Sequence, residues 1–314
     1  MSDSINRVLV HIGFHKTGTS WLQDEVFDKK DGDFHPISKL AHHFVFDQDG
    51  FILNSFDMNE TVIREELQKV LKNTPLSSER MPVMSYERLS GSPFAGGVNG
   101  NSHAARIKNV FPQAKILIVI RKQADVILSG YFQYLTGGGT LGIDKYLYSK
   151  QNGLRPFFTG NHYHYHHIVS GYQGLFGKKQ VLVLPYELFR LDKQAYLERI
   201  ARFTGQEIKV QEVDTKVYRN KGEHQFTRYH FRFLNTMIKS TELNNFSFWH
   251  GALTKGLSWR LLSFGKRLFP ASLDQKLKVK LNAKISTYIA GRYEESNQKL
   301  NALIDDDLED YGYF

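Results

Sequence analysis

The sequence contains no cysteine among its 314 residues. That absence excludes a disulfide framework, a thiolate nucleophile and cysteine-ligated metals, and it suits a reducing compartment. Long apolar runs are also lacking. The longest aliphatic stretch is Ile116-Leu117-Ile118-Val119-Ile120, far short of the roughly 20 residues a membrane-spanning helix requires. No low-complexity tract, Pro/Ser-rich linker or fixed-period repeat stands out, and Met1 to Asn6 is polar, unlike a signal peptide. These absences predict an ordered, soluble, cytoplasmic protein. Hydrophobic residues make up 41%, enough for a large core, and no composition break marks a boundary. A single domain over 1–314 is therefore expected.

Charge is the uneven property. The formal net charge is +9, yet Lys221 to Lys284 holds 12 Lys/Arg against 3 Asp/Glu, while Ile285 to Phe314 holds 2 against 7. A basic protein with a locally basic stretch implies an anionic partner: nucleotide, nucleic acid, acidic glycan or membrane surface. Within that stretch, Arg228, Arg232, Lys255, Arg260, Lys266 and Arg267 alternate with Phe226, Tyr229, Phe231, Phe233, Trp249, Trp259, Phe264 and Phe269. The favoured reading is an amphipathic helical subregion at about 224–285, with aromatics inward and cations solvated. A lid over an acceptor cleft or a peripheral membrane or glycan patch is the sharper alternative.

Along the chain, strands and helices alternate. Strands are read at Arg7–Gly13, Pro82–Tyr86, Lys115–Ile120 and Gln180–Leu184, the third apolar and β-branched as a central parallel strand should be. Helices are read at 60–72, 102–111, 124–135, 163–176 and 194–204. Residues 28–60 read as irregular, and the chain from His224 onward as mostly helix, broken near Gly251, Gly256 and Pro270. The expected fold is α/β: a P-loop-like three-layer arrangement with a central parallel sheet flanked by helices, plus a mainly helical C-terminal extension. Ligands in such sheets bind beyond the carboxyl ends of the strands.

The first strand leads into Gly13-Phe14-His15-Lys16-Thr17-Gly18-Thr19-Ser20 and then a helix. Such a turn offers backbone N–H groups, a helix start and a mobile cation to phosphate-like oxygens. A nucleotide-hydrolysing loop reads G-x-x-x-x-G-K-[ST], with Lys after the last Gly. Here Lys16 precedes Gly18, which argues against a kinase or NTPase. A second feature is Arg121, at the end of the third strand, with Ser129 eight residues on in the next helix.

Together these features resemble the family of sulfotransferases that use 3′-phosphoadenosine 5′-phosphosulfate (PAPS). Its 5′-phosphosulfate loop reads P-K-[ST]-G-T-[TS]-x-L; His15 stands here in place of the Pro. Arg121 and Ser129 are similar to the family's 3′-phosphate motif, and Tyr218-Arg219-Asn220-Lys221-Gly222 to the Arg-Lys-Gly loop that closes over the nucleotide. Tyr293 to Leu300 and Tyr311-Gly312-Tyr313 resemble the helix and tail near the end of many bacterial members.

The resemblance implies in-line sulfuryl transfer to a hydroxyl or amine, leaving adenosine 3′,5′-bisphosphate (PAP), with no metal required. Lys16 is implied as the cation that meets charge on the leaving oxygen. His15, Thr17, Gly18, Thr19 and Ser20 are implied at the 5′-phosphosulfate, with Trp21 near adenine or, equally, in the core. Arg121 and Ser129, helped by Arg219, Lys221 and Gly222, are implied at the 3′-phosphate. A general base must reach the acceptor. Carbohydrate-type members place a Glu or His after the second strand, which makes Glu87 the first candidate, His103 the second and His15 the third.

The expected acceptor is a carbohydrate or glycoconjugate, or another small or lipid-linked molecule. The run His162-Tyr163-His164-Tyr165-His166-His167 has metal-ligand residue types, but no carboxylate accompanies it, and packing or a cleft wall is preferred. The basic stretch lies apart from the organised motifs, which ranks a nucleic-acid or polyanion binder below an enzyme.

Overall fold

The computed structural model describes residues 7–29, 32–45, 61, 65, 69, 80–93, 96–97, 99–148, 158–208, 225–238, 269–270 and 272–314. Five strands are present among them: β1 (Leu9–His11), β2 (Phe34–Pro36), β3 (Met81–Ser85), β4 (Lys115–Ile120) and β5 (Val181–Pro185). They form one sheet in the order β2-β3-β1-β4-β5, and every pairing is parallel. β1 sits at the centre, with Leu9 beside Val83 on one flank and Lys115 on the other. The chain leaves β1 towards one edge of the sheet and later returns to its other side at β4. The crevice where the order reverses therefore opens beyond the carboxyl end of β1.

Burial explains the strand compositions. Ile116 to Ile120 are all fully buried, as are Val8, Leu9 and Val10. A parallel strand covered on both faces needs apolar residues at every position, not alternate ones. Each such side chain contributes about 2 kcal/mol on burial.

Helices follow the strands: α1 (Thr19–Leu22, continuing as a π-turn over Gln23–Phe27), α2 (His42–Val45), α3 (Gly100–Val110), α4 (Gln123–Thr136), α5 (Ile143–Tyr148), α6 (Tyr165–Phe176), α7 (Tyr186–Leu191), α8 (Lys193–Thr204), α9 (Gln225–His230), α10 (Asn235–Ile238), α11 (Ser272–Ile289) and α12 (Glu294–Asn301). The α/β class with a central parallel sheet is as expected. One strand is an addition: β2 lies in the segment read as irregular. It spans three residues and ends in Pro36, too short for any period to register, and proline there is tolerated at a sheet edge. Of the helix expected at 60–72, Thr61, Glu65 and Lys69 are helical and the remainder lies outside the described residues.

The chain divides into two compact units: residues 1–122, 161–219 and 293–314 form one, and 123–160 and 220–292 the other. The first holds the sheet. In the second, aromatic rings make the core: Tyr146 lies 5.1 Å from Tyr131, 5.0 Å from Tyr134 and 4.7 Å from Phe158, centroid to centroid. The basic aromatic stretch departs from its expected pattern there. Phe226, Tyr229 and Phe231 are half-buried and Phe233 is exposed, while Gln225 and Thr227 are buried. Arg228, half-buried, donates to Thr136 Oγ1 at 2.6 Å. Gly251, Gly256 and most of the other cations and aromatics in that stretch lie outside the described residues.

Candidate active site

The loop after β1 is built by close approach. Phe14 N–H donates to Val119 O, which keeps the loop against β4. A Cβ on Gly13 would stand 2.6 Å from His11 Nε2, so no larger residue fits. Gly18 has φ +83°, and a Cβ there would meet the Tyr186 ring at 3.0 Å. Lys16 also adopts a left-handed conformation, φ 68°, alone among the described non-glycine residues. Such backbone costs on the order of 1 kcal/mol and persists where surroundings enforce it. One enforcing contact is visible: Arg121 Nη1 donates to Lys16 O at 2.8 Å. The donation from Leu22 N–H to Gly18 O starts the helix, leaving the first-turn N–H groups of Thr19 and Ser20 without intrahelical partners.

Side chains of the loop divide between lining and packing. Thr17 Oγ1 donates to Phe14 O at 2.5 Å, bracing the turn. Thr19 Oγ1 is buried with no hydrogen-bond partner among the described residues. Ser20 is exposed. Trp21 belongs to the core, 4.6 Å from the Phe189 ring, which is the second of its two expected places.

β3 brings Glu87 to this loop. Tyr86 N–H donates to His11 O, His11 Nδ1 and Ser85 Oγ lie 2.8 Å apart, and Gln23 Nε2 donates to Ser85 O at 2.9 Å. These bonds tie the end of β3 to both sides of the loop. Glu87 follows, its Oε1 3.0 Å from His15 Nδ1 at ion-pair distance, though outside hydrogen-bond angles. The His15 side chain is nearly buried and that of Glu87 is 35% exposed, so of the two it is the carboxylate that solvent reaches. Burial pulls the Glu87 carboxyl upward, but His15, Lys16 and Arg88 together hold it below its ordinary value. Burial lowers the Lys16 ammonium, the Glu87 charge opposing and the Arg121 charge adding.

His103, on α3, packs behind this turn. It is 2% exposed, its Nδ1 lies 3.3 Å from Leu89 O, and burial pushes it down to about 4. It is a neutral imidazole bound to the turn that carries Glu87.

Arg121 stands at the end of β4, its guanidinium carbon 4.9 Å from the centre of the Tyr186 ring. Its Nε is buried without a partner among the described residues. Lys16, His15, Glu87 and Arg121 are thus brought together around one loop. Ser129 belongs to the other compact unit, half-buried on α4. Arg219, Lys221 and Gly222 lie outside the described residues. The histidine run splits: His162 packs 4.9 Å from Phe14, while His164, His166 and His167 stay together, with His166 and His167 3.8 Å apart centroid to centroid and His166 Nδ1 2.7 Å from Ser296 Oγ. Among the described residues no three His, Asp or Glu converge on a metal-sized site. Tyr186 is the residue that sequence reasoning missed. Its signal was available, since Tyr186 directly follows the carboxyl end of β5, the end of the sheet where ligands bind.

A model of the sulfotransferase domain matches residues 7–247, most of the chain and every feature above except the last segment. The chain belongs to the sulfotransferase domain family. PAPS-dependent sulfuryl transfer is that family's reaction, and the resemblance noted in the loop and at Arg121 is carried by the right fold. A crystallised sulfotransferase from Alicyclobacillus acidocaldarius is similar in architecture, with 21% identity, a TM-score of 0.51, and coverage of 72% of this chain and 93% of that one. A mouse sulfotransferase complexed with PAP is 17% identical over 66% of this chain and 61% of its own, with a TM-score of 0.38. No curated protein sequence matches this sulfotransferase. Among the described residues no helix is long and apolar enough to cross a membrane.

Proposed function

We propose that this sulfotransferase transfers the sulfuryl group of PAPS to a hydroxyl of a carbohydrate or glycoconjugate, with Lys16 and Glu87 as its catalytic residues. The observation that carries the reading is the convergence of Lys16, Glu87 and Arg121 on one glycine-dependent loop. The residues fit an anionic nucleotide. The loop offers first-turn N–H groups, an unpartnered buried Thr19 hydroxyl and a partly desolvated ammonium. When bound, PAPS supplies the activated sulfuryl group and a phosphate leaving group.

Lys16 meets the charge that moves onto the leaving oxygen as the S–O bond breaks, a role supported by its place in the loop and its partly desolvated ammonium. A positioned cation in a dry site is worth several kcal/mol in such a step. Glu87 accepts the proton of the attacking acceptor hydroxyl. Its exposure makes it reachable, and its ionised state at neutral pH leaves it ready to accept. His15 holds that carboxylate from the buried side, which gives the residue in place of the family's proline a positioning role. His103 stabilises the turn. Arg121 holds the 3′-phosphate, the group that ATP lacks. A Glu after β3 is also what carbohydrate-type members show, and this supports the acceptor class.

The test is ligand-dependent thermal stability followed by turnover. PAP should raise the melting temperature and ATP with Mg²⁺ should not. Labelled PAPS should then transfer label to glycans in preference to phenols, lipids and peptides. Stabilisation by ATP–Mg²⁺ alone would refute the donor, and transfer confined to phenols would refute the acceptor.

A further inference from the structure

The peptide group joining Arg121 to Lys122 is held at both of its polar atoms by buried side chains. Tyr165 Oη, from α6, donates to Arg121 O at 2.7 Å. Lys122 N–H donates to Glu187 Oε1, on α7, at 3.1 Å. The other carboxylate oxygen of Glu187 accepts from Tyr313 Oη at 2.9 Å. Tyr313 is held in turn, since Asn297 Nδ2 of α12 donates to Tyr313 O at 2.6 Å. Tyr165, Glu187, Asn297 and Tyr313 are all buried, and all lie in the same compact unit as Arg121.

This is more than a β-strand end requires. A strand that stops at Ile120 needs no side chain to satisfy the next peptide, because solvent or the following turn ordinarily does so. Here a carboxylate is taken out of water for the purpose. Burial pushes its carboxyl up, while Lys122 N–H, Tyr313 Oη and the Arg121 charge oppose that rise. A buried network that satisfies each member is rigid, and a half-satisfied one is costly. The element it makes rigid is the root of the Arg121 side chain.

We propose that Tyr313 and Glu187 are positioning residues for the donor's 3′-phosphate, acting by fixing the peptide from which Arg121 departs. The inference rests on the reading of Arg121 as the 3′-phosphate residue. A side chain aimed by a fixed root loses less freedom on binding and meets its anion in one geometry.

The test compares affinities for PAP and for adenosine 5′-monophosphate, measured by calorimetry on the full chain. The ratio of the two reports the 3′-phosphate alone. Arg121→Ala should collapse this preference. Tyr313→Phe, which keeps the ring and removes only the hydroxyl, should lower it by about 3- to 10-fold with adenosine 5′-monophosphate affinity unchanged. Glu187→Gln should lower it at least as much, and if that variant does not fold, Tyr313→Phe decides. Equal weakening towards both ligands, or an unchanged ratio, while Arg121→Ala still collapses it, would overturn the positioning role and leave the donor reading standing. An undiminished ratio in Arg121→Ala would overturn the donor reading, and this inference with it.

Discussion

The loops after β1 and β4 lie side by side and are built on opposite principles. After β1, the backbone is strained at Lys16, Thr19 Oγ1 and both nitrogens of His15 lack hydrogen-bond partners among the described residues, and a carboxylate is reachable from solvent. After β4, both polar atoms of the Arg121–Lys122 peptide are satisfied by buried side chains, although Arg121 Nε, on the side chain it carries, is left without a partner among the described residues. The contrast separates two tasks. Unsatisfied donors and poised charges are what a reaction uses, because their partners arrive only with the substrate. A satisfied network is what selective binding uses, because nothing has to move.

The contrast breaks most visibly at Lys16. Lys16→Ala should reduce kcat by about 100- to 1,000-fold or more in a labelled-PAPS assay, while PAP still binds. Unchanged turnover would remove the β1 loop from the chemistry. Glu87→Gln should reduce kcat by about 10- to 100-fold, again with PAP affinity retained. His15→Asn sharpens the same point: as a positioning change it should lower kcat less than Glu87→Gln, and a larger loss would make His15 the base.

The smallest effect is on stability. His11 and His103 are held down to about 4 and His162 to about 3, each chiefly by burial. The unfolded chain binds their protons more tightly than the fold does, so these groups favour the fold above the ordinary histidine value of 6.5. That contribution is lost as pH falls from about 6.5 through 4 for His11 and His103, and on through 3 for His162. Melting temperature measured at constant ionic strength should therefore fall steadily across that window. A flat profile would mean that the histidines behind the β1 loop are hydrated.

The two regions also differed in how much their sequences disclosed. The loop was legible because glycine spacing and a lone Lys constrain backbone chemistry locally, and the apolar run Ile116–Ile120 announced a central strand. Glu87 was named as a candidate because it closely follows a strand end, and the structure sets it beside His15. The network behind Arg121 was invisible, since Tyr165, Glu187 and Tyr313 are brought together only by tertiary packing. His15 is the intermediate case: its departure from the family's proline was plain, but its partner, 72 positions away in sequence at Glu87, was not. The edge strand β2 was missed because three residues carry no period.

The bond from Tyr313 to Glu187 spans 126 positions of the chain. During synthesis, the sheet and its arginine emerge from the ribosome long before residue 313 does. The hydrogen-bonded seat of the Arg121–Lys122 peptide is therefore completed only after residue 313 has been added, although the last described strand ends at Pro185.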